Sequence, residues 1–132
     1  MNASFYDGAT GQYSFRVGDG VYTELVASLA VFTSTATGER AELIASKIAE
    51  GALIPCTLSM KCFSYDACLK VSEEYRDFVL TDIRRDYSYM LDHGATTAWE
   101  TLKGEADFDG AGSLCHGWNA MPIVYYHRLG LI

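Results

Sequence analysis

The chain has 132 residues, 49% of them hydrophobic and 20% charged, which indicates one globular domain and excludes a disordered chain or a second full domain. Ten basic against seventeen acidic residues give a formal net charge of −7, which disfavours nucleic acid and anionic membranes as partners. The N-terminal residues lack a leader pattern and no apolar run reaches the ~18 residues of a membrane span, so we expect a cytoplasmic protein.

Four cysteines are present, and without a secretory leader we expect their thiols to stay reduced. Cys56, Cys62 and Cys68 recur every six residues. That spacing matches neither a CxxC zinc pair nor one face of a helix. We therefore expect no metal ion and no other cofactor.

The first half of the chain predicts a loop followed by a helical hairpin. Residues 1–20 are rich in Gly, Asp and Ser, which indicates an N-terminal loop of turns. Apolar residues then recur at helical spacing, in a first helix from Tyr22 and in a second between Gly38 and Gly51. The expected apolar faces are Leu25, Val26, Leu29 and Phe32 in the first helix, and Ala41, Ile44, Ala45 and Ile48 in the second.

The second half predicts another hairpin, a long loop and a final helix. Helical spacing returns over residues 58–69, and a fourth helix is expected from Ser72 to about Leu91, ended by Gly94. Residues 115–132 carry a last apolar face, in which Pro122 predicts a kink or a late helix start. No long strand pattern is present; residues 95–98 are the one short candidate. The sequence therefore predicts an all-α single domain, with antiparallel helical hairpins over residues 21–91 and a site loop over 92–114.

The sequence Gly-Ala-Thr-Thr-Ala-Trp-Glu at residues 94–100, followed by Ser-Leu-Cys-His-Gly-Trp-Asn at 113–119, carries the functional signal. It places Glu100, His116, Trp99 and Trp118 within one short stretch. A sugar-binding cleft needs flat apolar rings for a pyranose face and a carboxylate for proton transfer. Long loops inside a compact domain are usually functional or disordered, and this composition favours function.

Each of these residues also has a simpler structural interpretation. Glu100 could be a solvated carboxylate, and His116 could position loop groups or be a core histidine. Either indole could belong to the core, which we expect for Trp118, whereas Trp99 remains open. Two further candidates for sugar hydroxyls, Asp107 and Asp109, lie between glycines, where acidic residues commonly form solvated turns.

These segments resemble the six-hairpin glycosidases, and within them the α-L-rhamnosidase-like members of glycoside hydrolase family 78. The resemblance covers nearly the whole chain, and its specific parts are residues 87–100 and 113–118. It implies the C-terminal part of a catalytic (α/α)6 barrel of six helical hairpins. It also implies that Glu100 is the catalytic base of an inverting reaction, opposite a general acid ~6.5–9.5 Å away.

The chain departs from that family in two respects that limit its expected activity. The family's general acid lies in an upstream segment that these 132 residues do not contain, and about five predicted helices are fewer than half of the barrel's twelve. We therefore expect a glycosidase fragment, active only if an upstream barrel half completes it. The alternative is a non-catalytic carbohydrate-binding or oligomeric helical module. The expected partners are carbohydrate and either a second copy or the complementing half, which would cover apolar surface along the missing edge.

Overall fold

The computed structural model describes residues 2–132, which form two compact units. The first unit runs to Cys56 and includes Met60–Tyr75, whereas the second contains Thr57–Ser59 and Arg76–Ile132. The described residues are mostly helical, which confirms the all-α expectation.

The first unit begins with short regular elements where a loop of turns was expected. Helix α1 is Asn2–Phe5, and the strands β1, Tyr6–Asp7, and β2, Gln12–Tyr13, pair in an antiparallel hairpin. Within its turn, Asp7 Oδ1 accepts a hydrogen bond from the Ala9 N–H at 2.9 Å. These elements are too short to be recognised by hydrophobic periodicity. The turn signals at Asp7 and Gly8 were the part of the hairpin that the sequence indicated.

Three helices complete the first unit: α2 is Glu24–Phe32, α3 is Glu39–Ala49 and α4 is Lys61–Val71. The Thr23 hydroxyl caps α2 by accepting the Val26 N–H at 3.3 Å. Helix α3 begins after Gly38 and ends before Gly51 (φ +66°), as the glycines predicted. Its buried face is the expected one, Ala41, Ile44, Ala45 and Ile48. Helix α2 packs against both α3 and α4.

The expected apolar face of α2 was wrong. Phe32 is exposed, and Leu25, Val26 and Leu29 are only half-buried. The buried residues are instead Glu24, Ala27, Ser28, Ala30 and Val31. Small side chains at this face let α4 approach, and the Ser28 hydroxyl donates to Ser64 Oγ of α4 at 3.0 Å. Hydrophobic periodicity assigned the wrong buried face to α2 because the method follows large apolar residues and gives little weight to alanine and serine.

In the second unit, α5 is Arg76–Asp92 and α6 is Pro122–Arg128. The 3₁₀ turn Glu73–Tyr75, the last segment of the first unit, precedes α5 along the chain, and Gly94 (φ +83°) follows the end of α5. Helix α6 begins at Pro122, which confirms the late start, because proline needs no N–H partner at a first helical position. Residues 95–98 form no strand. No helix within residues 2–132 is long and apolar enough to cross a membrane.

Candidate functional site

Two segments of the second unit lie side by side and hold Glu100 between them. The Glu100 N–H donates to the Ser113 carbonyl at 2.8 Å, and the His116 N–H donates to the Ala98 carbonyl at 2.8 Å. The Thr97 hydroxyl donates to the Leu114 carbonyl. Residues 97–100 and 113–116 are therefore joined largely by main-chain atoms, so the two motifs singled out in the sequence do meet.

The Glu100 carboxylate is half-buried and held at one oxygen. Its Oε2 accepts the Ser113 N–H at 3.2 Å. Its other oxygen, Oε1, makes no hydrogen bond to any part of the chain that the structure describes. A carboxylate fixed at one oxygen and open at the other can accept a proton from a water molecule without first breaking a protein contact.

A buried amide, Asn119, sets the backbone on which Glu100 lies. Asn119 is fully buried, and its Nδ2 donates to the carbonyls of Trp99 and of Glu100, the latter at 3.1 Å. In turn, the Asn119 carbonyl accepts the Tyr87 hydroxyl of α5 at 2.5 Å. Burial, with Asp86 close by, raises the pKa of Tyr87, so the phenol remains a neutral donor. Asn119 Oδ1 is also buried and has no partner among the described residues.

Two glycines allow the loop after Glu100 to fold back on itself. A Cβ on Gly112 would lie 2.0 Å from the Gly104 carbonyl oxygen, a distance that no side chain can occupy. Gly104 has φ +57°, and a Cβ there would lie 3.2 Å from the Trp99 ring. The absence of side chains at these two glycines thus allows the backbone of residue 112 and the indole of residue 99 to pack against residue 104.

The two indoles differ in exposure, and the expectation for one of them was wrong. Trp118 is 72% exposed and therefore is not a core residue. It directly precedes the buried Asn119 in a short 3₁₀ helix, Gly117–Ala120. Trp99 is half-buried against Gly104. His116 lies 6.3 Å from Trp118 between ring centroids, and its Nδ1 is buried without a partner among residues 2–132.

The remaining acidic candidates form a turn. The Asp107 carbonyl accepts the N–H groups of residues 110, 111 and 112, and its Oδ1 accepts the Phe108 N–H at 3.0 Å. The Thr101 hydroxyl and that Phe108 N–H lower the pKa of Asp107. Asp109 is exposed and adopts φ +58°. These positions fit the turn-forming interpretation, and no described contact joins either carboxylate to Glu100.

Comparison with solved structures gives one strong match. The chain resembles the crystal structure of a family 78 glycoside hydrolase, a rhamnosidase from Bacillus sp. GL1, with a TM-score of 0.83 and 27% identity. In fold, this chain is similar to a segment of that rhamnosidase. The match covers 98% of this chain, which spans 15% of the rhamnosidase. The resemblance expected from the sequence is thereby confirmed. Neither a family model nor a curated protein matches the sequence.

Three contributors to the site were not predicted as such: Ser113, Asn119 and Tyr87. Tyr87 and Ser113 lie in the segments that carried the resemblance, and Asn119 directly follows the second of them. The three act through an N–H, an amide and a hydroxyl that bond main-chain or carboxylate oxygens. Such roles leave no spacing signal, because the sequence does not show which backbone atom a distant polar group meets.

Proposed function

We propose that this chain supplies the base-bearing part of an inverting glycoside hydrolase site, with Glu100 as the residue that removes a proton from the attacking water. The observation that carries the proposal is the half-open Glu100 carboxylate, with Oε2 on the Ser113 N–H and Oε1 free of described partners. The match to a rhamnosidase supports the class of reaction and makes α-L-rhamnosides the first substrates to test.

The general acid has to come from outside this chain. An inverting site needs its two carboxyl groups roughly 6.5–9.5 Å apart, so that water fits between the base and the sugar. The nearby acids do not provide one, because Asp107 is committed to its turn and Glu105 is exposed in a 3₁₀ turn, Gly104–Ala106. We expect hydrolysis only when a complementing barrel portion, or a second copy, supplies the acid and the remaining subsites.

Complementation tests this proposal. The chain is mixed with a family 78 rhamnosidase from which the matching segment has been removed, and hydrolysis of an aryl α-L-rhamnoside is measured. Glu100→Gln is expected to lower the restored rate by about 10²–10⁴-fold. Glu105→Gln is the matched control, since it removes the same charge from an exposed position in the same loop. Equal rates for the two variants would contradict a base role for Glu100.

Stereochemistry gives a second, independent readout of the same mixture. A base that activates water on the face opposite the leaving group produces inversion at the anomeric carbon. Proton NMR of the first-formed sugar should therefore show the inverted anomer. Retention would exclude Glu100 as a general base, even if Glu100→Gln were inactive.

Non-catalytic carbohydrate binding is the second candidate, favoured by the exposed indole of Trp118. A 72% exposed tryptophan presents a ring face to which a pyranose can bind. Titration calorimetry of the isolated chain with L-rhamnose tests it. Binding that is lost in Trp118→Ala but kept in Glu100→Gln would favour this module over the catalytic one. No heat at about 10 mM sugar would exclude it.

The chain also has apolar surface available for association. Several large apolar residues near its C-terminal end are substantially exposed: Ile123, Val124, Leu131 and Ile132. Large apolar residues exposed within one short segment are typical of an interaction surface. We propose that a second copy or the complementing barrel portion covers it. Sedimentation of the isolated chain should then show concentration-dependent association. A monomer at all concentrations would exclude a second copy and leave the complementing barrel portion as the proposed partner.

A further inference from the structure

A polar cavity in the first unit contains an arginine that has no acidic partner. The cavity has a volume of about 630 Å³, within the range of small-molecule sites. It is lined by Arg40 of α3 and Tyr6 of β1, together with Asn2, Thr35 and Thr37. Neither Glu100 nor any other residue discussed for hydrolysis belongs to it.

Arg40 is held in place by two tyrosines. Its guanidinium carbon lies 3.8 Å from the centroid of the Tyr6 ring, and its Nη1 donates to the Tyr13 hydroxyl at 3.3 Å. The Tyr6 and Tyr13 rings are themselves in contact, with centroids 5.2 Å apart. The Tyr13 hydroxyl in turn donates to Asn2 Oδ1 at 2.7 Å. A cation stacked on one ring and bonded to the next loses little freedom when it binds a ligand.

The guanidinium still has most of its binding capacity available. Arginine carries five N–H donors in a planar fork, and here one hydrogen bond engages Tyr13. No carboxylate among residues 2–132 forms an ion pair with Arg40. The free donors of this guanidinium are suited to the two oxygens of a ligand carboxylate, which the fork binds with two parallel hydrogen bonds.

The other charges near the cavity restrict the ligand. Glu39 also lines it, and the chain as a whole carries −7, so a dianion such as phosphate would be repelled more strongly than a single carboxylate. The hydroxyls of Thr35 and Thr37 provide donors and acceptors for ligand hydroxyl groups. Together these features favour a small ligand with one carboxylate and several hydroxyls.

We infer that the cavity lined by Arg40 and Tyr6 is a binding site for a sugar acid of monosaccharide size. Its carboxylate bonds the Arg40 fork, and its hydroxyls face Thr35, Thr37 and Asn2. The site is independent of the proposed hydrolytic role, since no residue is shared between them.

Binding of D-glucuronate to the isolated chain tests this inference. Methyl β-D-glucoside, which lacks the carboxylate, and inorganic phosphate serve as comparison ligands, and amide chemical shifts report the site. Glucuronate is expected to shift the signals of residues 35–40 saturably, and the neutral glucoside is not. Phosphate binding as tightly as glucuronate, or no saturable shift at about 10 mM glucuronate, would overturn the assignment.

Substitutions locate the site. Arg40→Gln is expected to weaken glucuronate binding at least about tenfold, and Arg40→Lys to weaken it too, because lysine keeps the charge but loses the fork. Arg16→Gln removes the same charge from an exposed arginine beside Phe15 and should leave binding unchanged. Equal loss in both glutamine variants would mean that general charge, not the cavity, attracts the ligand.

Two further variants keep the test decisive. If Arg40→Gln does not fold, Thr37→Val replaces it, since Thr37 is exposed and lines the cavity. Unchanged binding in that variant would contradict the proposed hydroxyl contacts. Glu100→Gln should bind glucuronate like the unmodified chain. Failure of the hydrolysis experiment would therefore leave this result intact, and the reverse also holds.

Discussion

Replacing Gly112 by alanine should disrupt the loop that carries Glu100. The added Cβ would lie 2.0 Å from the Gly104 carbonyl oxygen and 3.0 Å from its carbon, so the obstacle is backbone and cannot rotate away. Overfilling a packed position costs about 1–3 kcal/mol and occasionally more. For a chain of 132 residues, 1 kcal/mol corresponds to about 4 °C in melting temperature. We therefore expect Gly112→Ala to melt roughly 4–12 °C lower.

Gly117→Ala is the matched control, because a Cβ there meets nothing within 4 Å and the residue lies in a 3₁₀ helix of the same unit. Thermal unfolding followed by circular dichroism measures both variants. Since residue 113 follows directly, Gly112→Ala should also shift the amide signal of Ser113, the donor to Glu100. Equal melting temperatures for the two variants would refute the close approach of residues 104 and 112.

Three further outcomes follow from other contacts. Asn119→Asp keeps the side-chain shape but removes the Nδ2 donor, so two carbonyls lose their hydrogen-bond partner. The free energy of unfolding, measured in urea, should fall by about 1–3 kcal/mol. A smaller decrease would contradict the hydrogen bonds to those carbonyls. Arg85→Met should destabilise the chain by about 1–2 kcal/mol more than Arg84→Met. Arg85 forms ion pairs with two buried aspartates of α5, whereas Arg84, which is exposed like Arg85, forms none among the described residues; equal stability would show that the pairs contribute nothing. Burial, and to a lesser extent the nearby Glu24 charge, raises the pKa of Cys56 from 9.0 to about 12. The unfolded chain therefore loses this thiol proton at lower pH than the folded chain does, so the free energy of unfolding should fall as the pH rises from 9.0 towards 12. In Cys56→Ala the same decrease should be less steep.

The helices were predictable where glycine or proline marks their ends. Gly51 and Gly94 follow α3 and α5, and Pro122 begins α6, as expected from the backbone conformations these residues favour. The buried face of α2 was not predictable, because Ala27 and Ser28 owe their burial to the approach of α4. That approach is a property of the assembled helices and is invisible in the spacing of one helix.

The site was predictable as a neighbourhood but not as a set of contacts. The two motifs at residues 94–100 and 113–119 were expected to lie near one another, and main-chain hydrogen bonds do join them. Trp118 was expected inside because indoles usually bury large areas, yet its segment is directed by the buried Asn119 next to it, which leaves the ring outside. The cavity beside Arg40 gave no sequence signal either, since it depends on a hairpin of two-residue strands.

The loop around Glu100 is built mainly from bonds between main-chain atoms, which most amino acids can provide equally well. Only a few positions demand a particular side chain, chiefly Asn119 and the two glycines at 104 and 112. Most of the surrounding residues can therefore be substituted during evolution while the backbone of the loop keeps its conformation. In this loop, backbone geometry is therefore less sensitive to sequence change than a site built from side chains, in keeping with a match to a rhamnosidase at 27% identity. Related chains should accordingly be easier to find by comparing backbone structures than by comparing amino-acid sequences.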